Sequence, residues 1–243
     1  MTRILVFQHH PLEHPGTFRD FLAADGIAWD VVRLDAGEAI PPLEGYAALV
    51  VMGGPQDVWE EDRFPWLVAE KAAIREAVLA REIPYLGVCL GHQLLAAALG
   101  GEVAAMAGKA EIGIGEVELS PEGERDALLG GQGSRLACLQ WHAAEVTALP
   151  RGAVALAANE ASRIQALRWG ERAYGLQFHV EASAATVPEW AGIPAYRNAL
   201  ERGLGEGELE LFAAEAKRRA PALRASAARL YARFKGLIAR AEA

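Results

Sequence analysis

The stretch "PYLGVCLGHQLLAAALGG", Pro84 to Gly101, decides how the chain folds. Its first residues are a short apolar run suited to a buried strand, and "GHQLLAAALG" suits a helix that stops at Gly100. A strand must therefore turn into a helix at Cys89. Gly87 and Gly91 stand two residues to either side, and glycine relieves the crowding of so sharp a turn. This is a nucleophile elbow with sulfur in place of a hydroxyl. It presents the side chain at the carboxyl end of a strand and aims a helix N-terminus at it, which favours the thiolate, the reactive form. Most free cysteines are small buried hydrophobes, but the flanking glycines turn Cys89 toward the role of nucleophile.

Upstream, strand-like and helix-like segments alternate. "RILVFQ" (Arg3 to Gln8), "AWDVVRL" and "YAALVVM" (Tyr46 to Met52) have strand character. "TFRDFLAADG" and "PWLVAEKAAIREAVLARE" have helical character, the second with Pro65 near its first turn and Leu67, Ile74, Ala77 and Val78 on one face. Such alternation predicts a parallel sheet covered by helices on both faces, with ligands at the carboxyl ends of the strands. Downstream, Glu116 to Leu119, Leu136 to His142, Ala153 to Ala158, Ile164 to Trp169 and Ala173 to Val180 are predicted short strands with little helix between them. They are expected to extend the main sheet as antiparallel or mixed strands. "LGEGELEL" is a solvated connection into a last helix in which Leu223, Ala227, Leu230, Phe234 and Leu237 form a stripe. The expected organisation is one domain over residues 1–205 and a C-terminal helical extension, 206–243, packed on it.

A thiol nucleophile needs a base, and the base needs an orienter. In "YGLQFHVEAS", His179 and Glu181 lie two apart on a predicted strand, so both side chains fall on one face. Glu181 can hold one imidazole nitrogen while the other faces sulfur. The attack of sulfur on a carbonyl also needs two fixed donors for the oxyanion. The N–H of Leu90 is one; the other can come from "MGGPQ", where Gly53 and Gly54 follow a strand and permit close backbone approach.

Composition narrows the setting. The chain has 243 residues, 52% of them apolar, which is ample for a large α/β core. Two cysteines without regular spacing exclude a disulfide framework or zinc ribbon and point to a reducing, cytoplasmic compartment. "MTRILVFQHHP" falls short of a signal peptide, and no run reaches membrane-spanning length. A net charge of -8 argues against a nucleic-acid partner, although Glu215 to Ala243 carries eight Lys/Arg against two Glu.

With these residues assembled, the chain resembles the class I (triad) glutamine amidotransferases, especially free-standing members similar to the glutaminase part of GMP synthase. "VVMGGP", "PYLGVCLGHQLLAAALGG", "EIGIGEVEL", "LQWHAAEVTALPRGAVALAAN" and "YGLQFHVEAS" occur in the family's order and span roughly Ile4 to Trp190. The resemblance implies a flavodoxin-like three-layer α/β fold with a mixed, mostly parallel central sheet. It implies a Cys89-His179-Glu181 triad that removes the side-chain amide of glutamine through a thioester, with Gly54 and Leu90 lining the oxyanion hole and Gln93 touching the backbone groups of glutamine. No cofactor is implied. One departure stands out: His142-Ala143-Ala144, followed by Glu145, replaces the His-Gly-Asp run of related glutaminases. In the family the backbone there helps hold the amino-acid end of the substrate, so His142, Ala143 and Ala144 are candidate substrate contacts. His142 is either a loop residue guiding a second substrate or partner, or a satisfied structural histidine beside Trp141.

Other residues take plainer roles. Pro11 and Pro15 prevent the regular helix that would align His10 with His14, so His9, His10 and His14 are not expected to bind a metal. His92 is expected to support the start of its helix, Cys138 to pack in the core, and the basic C-terminal helix to show a solvated outer face. Three functions remain open: a glutaminase supplying ammonia to a separate synthetase, a stand-alone γ-glutamyl peptide or amide hydrolase, and a non-catalytic regulatory relative. Oligomeric state, a homodimer included, is left open.

Overall fold

The apolar runs of the N-terminal half become the inner strands of one sheet. The computed structural model describes residues 2–242; Met1 and Ala243, the outer ends of the two segments predicted above, lie outside them. In chain order the strands are β1 (Arg3–Gln8), β2 (Ala28–Arg33), β3 (Ala48–Val51), β4 (Tyr85–Val88), β5 (Glu102–Ala105), β6 (Glu111–Leu119), β7 (Arg135–His142), β8 (Ala144–Ala148), β9 (Ala153–Ala158), β10 (Ala166–Trp169) and β11 (Ala173–Leu176). The helices are α1 (Phe18–Ala24), α2 (Trp66–Arg75), α3 (Leu90–Ala98), α4 (Pro121–Arg125), α5 (Thr186–Trp190), α6 (Pro194–Gly203) and α7 (Leu209–Glu242). A single π-helical turn, Glu76–Ala80, continues α2.

Nine strands join in the order β2-β1-β3-β4-β11-β10-β9-β6-β7. The first five pair in parallel and the rest antiparallel, so the downstream strands extend the main sheet as their sequence predicts. Period-two alternation sorts the two faces. Ile4, Val6, Ala48 and Val50 pack toward α1 and α7, whereas Leu5, Phe7, Leu49 and Val51 pack toward α2 and α3. Leu67, Ile74, Ala77 and Val78 are all buried in the second cluster; of the predicted stripe of α7, Ala227, Leu230, Phe234 and Leu237 lie in the first, and Leu223 is buried as well. The N-terminal end of α7, through Phe212 and Ala216, reaches a third cluster with Trp141, Trp190 and Tyr196. Its basic residues pair with acids of the body, Arg224 with Asp20 at 2.6 Å and Lys235 with Asp25 at 2.7 Å. No helix among the described residues is long and apolar enough to cross a membrane.

The structure corrects one expectation. β11 stops at Leu176 and not at Val180. Its parallel neighbour β4 ends at Val88, where the chain leaves for α3, and the Cys89 N–H takes the Leu176 carbonyl at 2.8 Å. With no strand beside it, the chain beyond Leu176 crosses to β7, where His179 and Leu139 exchange two backbone hydrogen bonds of 2.8 and 3.0 Å. β5 and β8 form a separate two-stranded ribbon that the sequence pattern does not announce. It carries Ala144 to the mouth of the site.

Candidate active site

Cys89 stands at the carboxyl end of β4 with φ +51° and ψ −104°, one of two non-glycine residues with positive φ among those described. A strained conformation of this kind persists only where its surroundings over-determine it. Here they do so by close packing. A Cβ on Gly87 would lie 2.3 Å from the Gly91 carbonyl oxygen, and one on Gly91 would lie 2.2 Å from the Val51 carbonyl oxygen. Neither glycine has a positive φ. The two glycines are therefore required for space, so that α3 can start directly against β4 and β3, while the unusual torsion falls on the cysteine itself. Leu90, the first residue of α3, has an N–H with no intrahelical acceptor.

His179 and Glu181 meet although they lie past the end of β11. The His179 Nδ1 is 2.7 Å from Glu181 Oε1, and both side chains are buried. The Glu181 backbone is fixed by the segment that follows β1: the Thr17 N–H donates to its carbonyl at 2.8 Å, and a Cβ on Gly16 (φ +49°) would stand 2.1 Å from that oxygen. Trp190 meets the His179 ring edge-on, with centroids 4.6 Å apart at 73°. Burial alone would push the His179 imidazole down. The Glu181 carboxylate, with hydrogen bonds to Cys89 and Glu181, more than reverses this and holds it well above the ordinary histidine range. A proton on that ring is what a departing amine needs.

Two further polar residues complete this centre, and sequence reasoning missed both. Gln177 directs its Nε2 at the Cys89 sulfur, 3.7 Å away, and its Oε1 accepts from Gln93 Nε2 at 3.1 Å. Glu13 is fully buried; its Oε1 accepts from the Tyr196 hydroxyl, and its Oε2 has no partner. A Cβ built on Gly53 would come within 2.7 Å of that oxygen and 3.2 Å of His179 Cε1, so Glu13 lies near the His179 ring. Burial raises its carboxyl to about 6, against the opposing pull of His179 and Tyr196. The rule that parallel sheets bind ligands past the carboxyl ends of their strands is the signal that could have found Glu13, since it follows β1 by five residues.

In front of the sulfur lies a cleft open to solvent. Gly54, Cys89, Leu90, Gln93, His142, Ala143 and Ala144 all line it, so the structure brings together every predicted oxyanion and substrate contact. Ala195, Tyr196, Ala199 and Arg202 of α6 form the facing wall, which the sequence reading did not anticipate. Gln93 commits its Nε2 to the Ala144 carbonyl at 3.1 Å as well as to Gln177. His142 is buried with Nδ1 2.9 Å from the Ala144 carbonyl and Nε2 3.0 Å from Glu111 Oε2. That is the geometry of a satisfied histidine. His92 sits in the first turn of α3 against β11, where burial pushes its imidazole down to about 3 and keeps it neutral. Cys138 is buried in β7.

The chain matches the glutamine amidotransferase class-I family over residues 17–188, a span that holds Cys89, His179 and Glu181. It is 34% identical to the glutamine amidotransferase-like protein YfeJ of Salmonella typhimurium, over 76% of this chain and 78% of that one. It is 33% identical to a subunit of the glutamine-hydrolyzing GMP synthase of Sulfurisphaera tokodaii, over 71% and 85% respectively. The fold superposes on a crystal structure of a glutamine amidotransferase from Thermotoga maritima with a TM-score of 0.85 and 31% identity, covering 98% of each chain. On these findings the chain belongs to the class-I glutamine amidotransferases.

Proposed function

We propose that the protein removes the side-chain amide of L-glutamine through a thioester on Cys89 and delivers the ammonia to a separate synthetase. The observation that carries this is the buried His179–Glu181 pair at 2.7 Å behind a cysteine held at φ +51° in the wall of the cleft. The thiol proton resides on His179. Sulfur attacks the amide carbon, and the carbonyl electron pair moves to oxygen, where the N–H groups of Gly54 and Leu90 stabilise the charge. The oxyanion collapses, the C–N bond breaks, and nitrogen leaves as ammonia with the proton of His179. A water then attacks the thioester carbon while His179 takes its proton. A second oxyanion collapses, the C–S bond breaks, and glutamate is released. Glu181 keeps the ring oriented and stabilises its charge throughout. Gln93, Ala143 and Ala144, which line the cleft, meet the amino-acid end of the substrate in this reading, and His142 acts there by holding the Ala144 carbonyl.

The relative that forms one subunit of a GMP synthase supports a separate nitrogen-accepting partner. One feature favours the second reading, a stand-alone γ-glutamyl hydrolase: the small side chains Ala143, Ala144, Ala195 and Ala199 leave the cleft room for a leaving group larger than ammonia. Glutamate release from glutamine and from a series of γ-glutamyl peptides, measured with the purified protein and its Cys89→Ala variant, decides between them. Glutamine hydrolysis that requires Cys89 is expected. Efficient cleavage of γ-glutamyl peptides with glutamine a much poorer substrate would replace the amidotransferase reading with the hydrolase.

A further inference from the structure

The Gly53–Gly54 peptide has an anchor that the triad does not use. His9, the residue after β1, is fully buried, and its ring stacks on Trp66 with centroids 5.4 Å apart at 15°. Its Nε2 lies 2.8 Å from Glu70 Oε1 of α2, and its Nδ1 lies 2.9 Å from the Gly53 carbonyl oxygen. A carbonyl oxygen only accepts, so Nδ1 carries a proton and donates it, whichever way the second proton is shared between ring and carboxylate. Two consecutive glycines impose little torsional preference of their own. Side chains are also unwelcome there: a Cβ on Gly54 would fall 2.6 Å from Gln56 Oε1 and 2.7 Å from His9 Cβ. The orientation of this peptide must therefore come from a partner outside it, and His9 is that partner.

We propose that His9, held by Glu70, is a positioning residue for the oxyanion hole. The Gly53–Gly54 peptide is trans, so its C=O and N–H point in opposite directions. With the carbonyl tied to His9 in the interior, the Gly54 N–H turns toward the cleft that Gly54 shares with Cys89 and Leu90. That N–H has no backbone acceptor among the described residues, which leaves it available to an oxyanion. The proposal rests on the thioester reading above, in which Gly54 and Leu90 are the two donors.

Two substitutions separate the donor from the bulk of the ring. In His9→Asn the side-chain amide nitrogen falls near the place of Nδ1 and can still donate to Gly53; in His9→Gln it falls near Nε2, keeps the Glu70 partner and loses Gly53. Removing one oxyanion donor is worth about a hundred- to a thousandfold in rate, and a peptide that only rotates part of the time should lose roughly ten- to a hundredfold. His9→Gln is expected to show that loss in kcat for glutamine hydrolysis with KM within about twofold, and His9→Asn to recover most of it. Alkylation of Cys89 by iodoacetamide forms no oxyanion, so its rate should stay near wild type in both variants. Glu70→Gln, a second route that leaves His9 in place, should lose kcat less than His9→Gln, again with KM unchanged. Crystal structures of the variants give a readout independent of turnover, with the Gly53–Gly54 peptide rotated in His9→Gln and retained in His9→Asn. Wild-type kcat in His9→Gln, alkylation falling in step with kcat, or an unrotated peptide in His9→Gln would each overturn the proposal. A wild-type protein that cleaves no γ-glutamyl amide would instead overturn the thioester reading, and the peptide orientation would still decide the role of His9.

Discussion

Two buried histidine–glutamate pairs of nearly equal length lie on either side of Gly53, His179–Glu181 at 2.7 Å and His9–Glu70 at 2.8 Å. Both rings are held above the ordinary histidine range. In both, burial pulls downward and a glutamate wins. What separates them is the remaining nitrogen. That of His9 faces a carbonyl oxygen, which has no proton to give and no bond to form, so the pair is spent as an anchor. The other neighbour of His179 is the sulfur of Cys89, an atom that can both lose a proton and attack. His142–Glu111 repeats the anchoring form with the Ala144 carbonyl on the far side of the cleft. A His–Glu pair is thus a recurring unit here, and its third partner sets what it can do: hold a loop, or face a sulfur.

The largest effects are expected at the proposed nucleophile and base. Cys89→Ala and His179→Ala should each lower the glutaminase rate by about 10⁴-fold or more, and the double variant should be no worse than either, because the pair acts as a unit. Glu181→Gln, which keeps shape and a hydrogen bond but removes the charge, should lose less, about a hundred- to a thousandfold. Steady-state glutamate release measures all four. Multiplying losses in the double variant would show that His179 does not act through Cys89, and the distinction from His9 would fall.

Next in size is the contrast between the two thiols. Cys138 is enclosed, and burial pushes its thiol well up, helped by the nearby Glu111 and Glu116 carboxylates. Cys89 lines the cleft beside a protonatable ring. Limiting iodoacetamide should therefore label Cys89 about a hundredfold faster or more, as read by peptide mass spectrometry. Comparable labelling in the folded protein would remove the case for an activated sulfur.

Much of this was legible because the relevant signals are short-range. The glycines around Cys89 and the His179-x-Glu181 spacing each occupy a few residues, and both encode a local geometry. The short continuous apolar runs of β1 and β3 likewise mark them as inner strands. Where geometry depends on distant chain, local pattern fails. β11 looks long enough to carry His179, but its end is set by where β4 stops. Glu70 pairs with His9 across 61 residues of sequence, which no spacing rule links. The ribbon of β5 and β8 is made of short strands, with much of β5 exposed, and α6 walls the cleft through tertiary packing that no local pattern announces. Glu13 was hidden by its neighbours, since "HHPLEHP" draws attention to its histidines.

Glu13 feels both His179 and His9 while owning neither. Its folded value of about 6, against an ordinary 4.5, means that the native state holds the proton more tightly than the unfolded chain does. Stability therefore falls as pH rises through this window, and above it the deprotonated side chain opposes folding by about 2 kcal/mol. Glu13→Gln cannot titrate and keeps an oxygen for the Tyr196 hydroxyl. At pH 4 it should match wild type, and at pH 8 it should melt higher by roughly 4–8 °C, the shift that such a free energy gives in a chain of this size. The same variant removes a negative charge facing the His179 ring, so glutaminase turnover should fall, by about three- to tenfold given that Glu181 remains in contact. A carboxylate that weakens the fold yet supports the imidazolium belongs with the catalytic pair. Calorimetry from pH 4 to 8, run beside the activity assay, separates the outcomes: a melting difference that does not change with pH would show that Glu13 does not titrate in this range. Stabilisation with full activity would instead place it with the anchors.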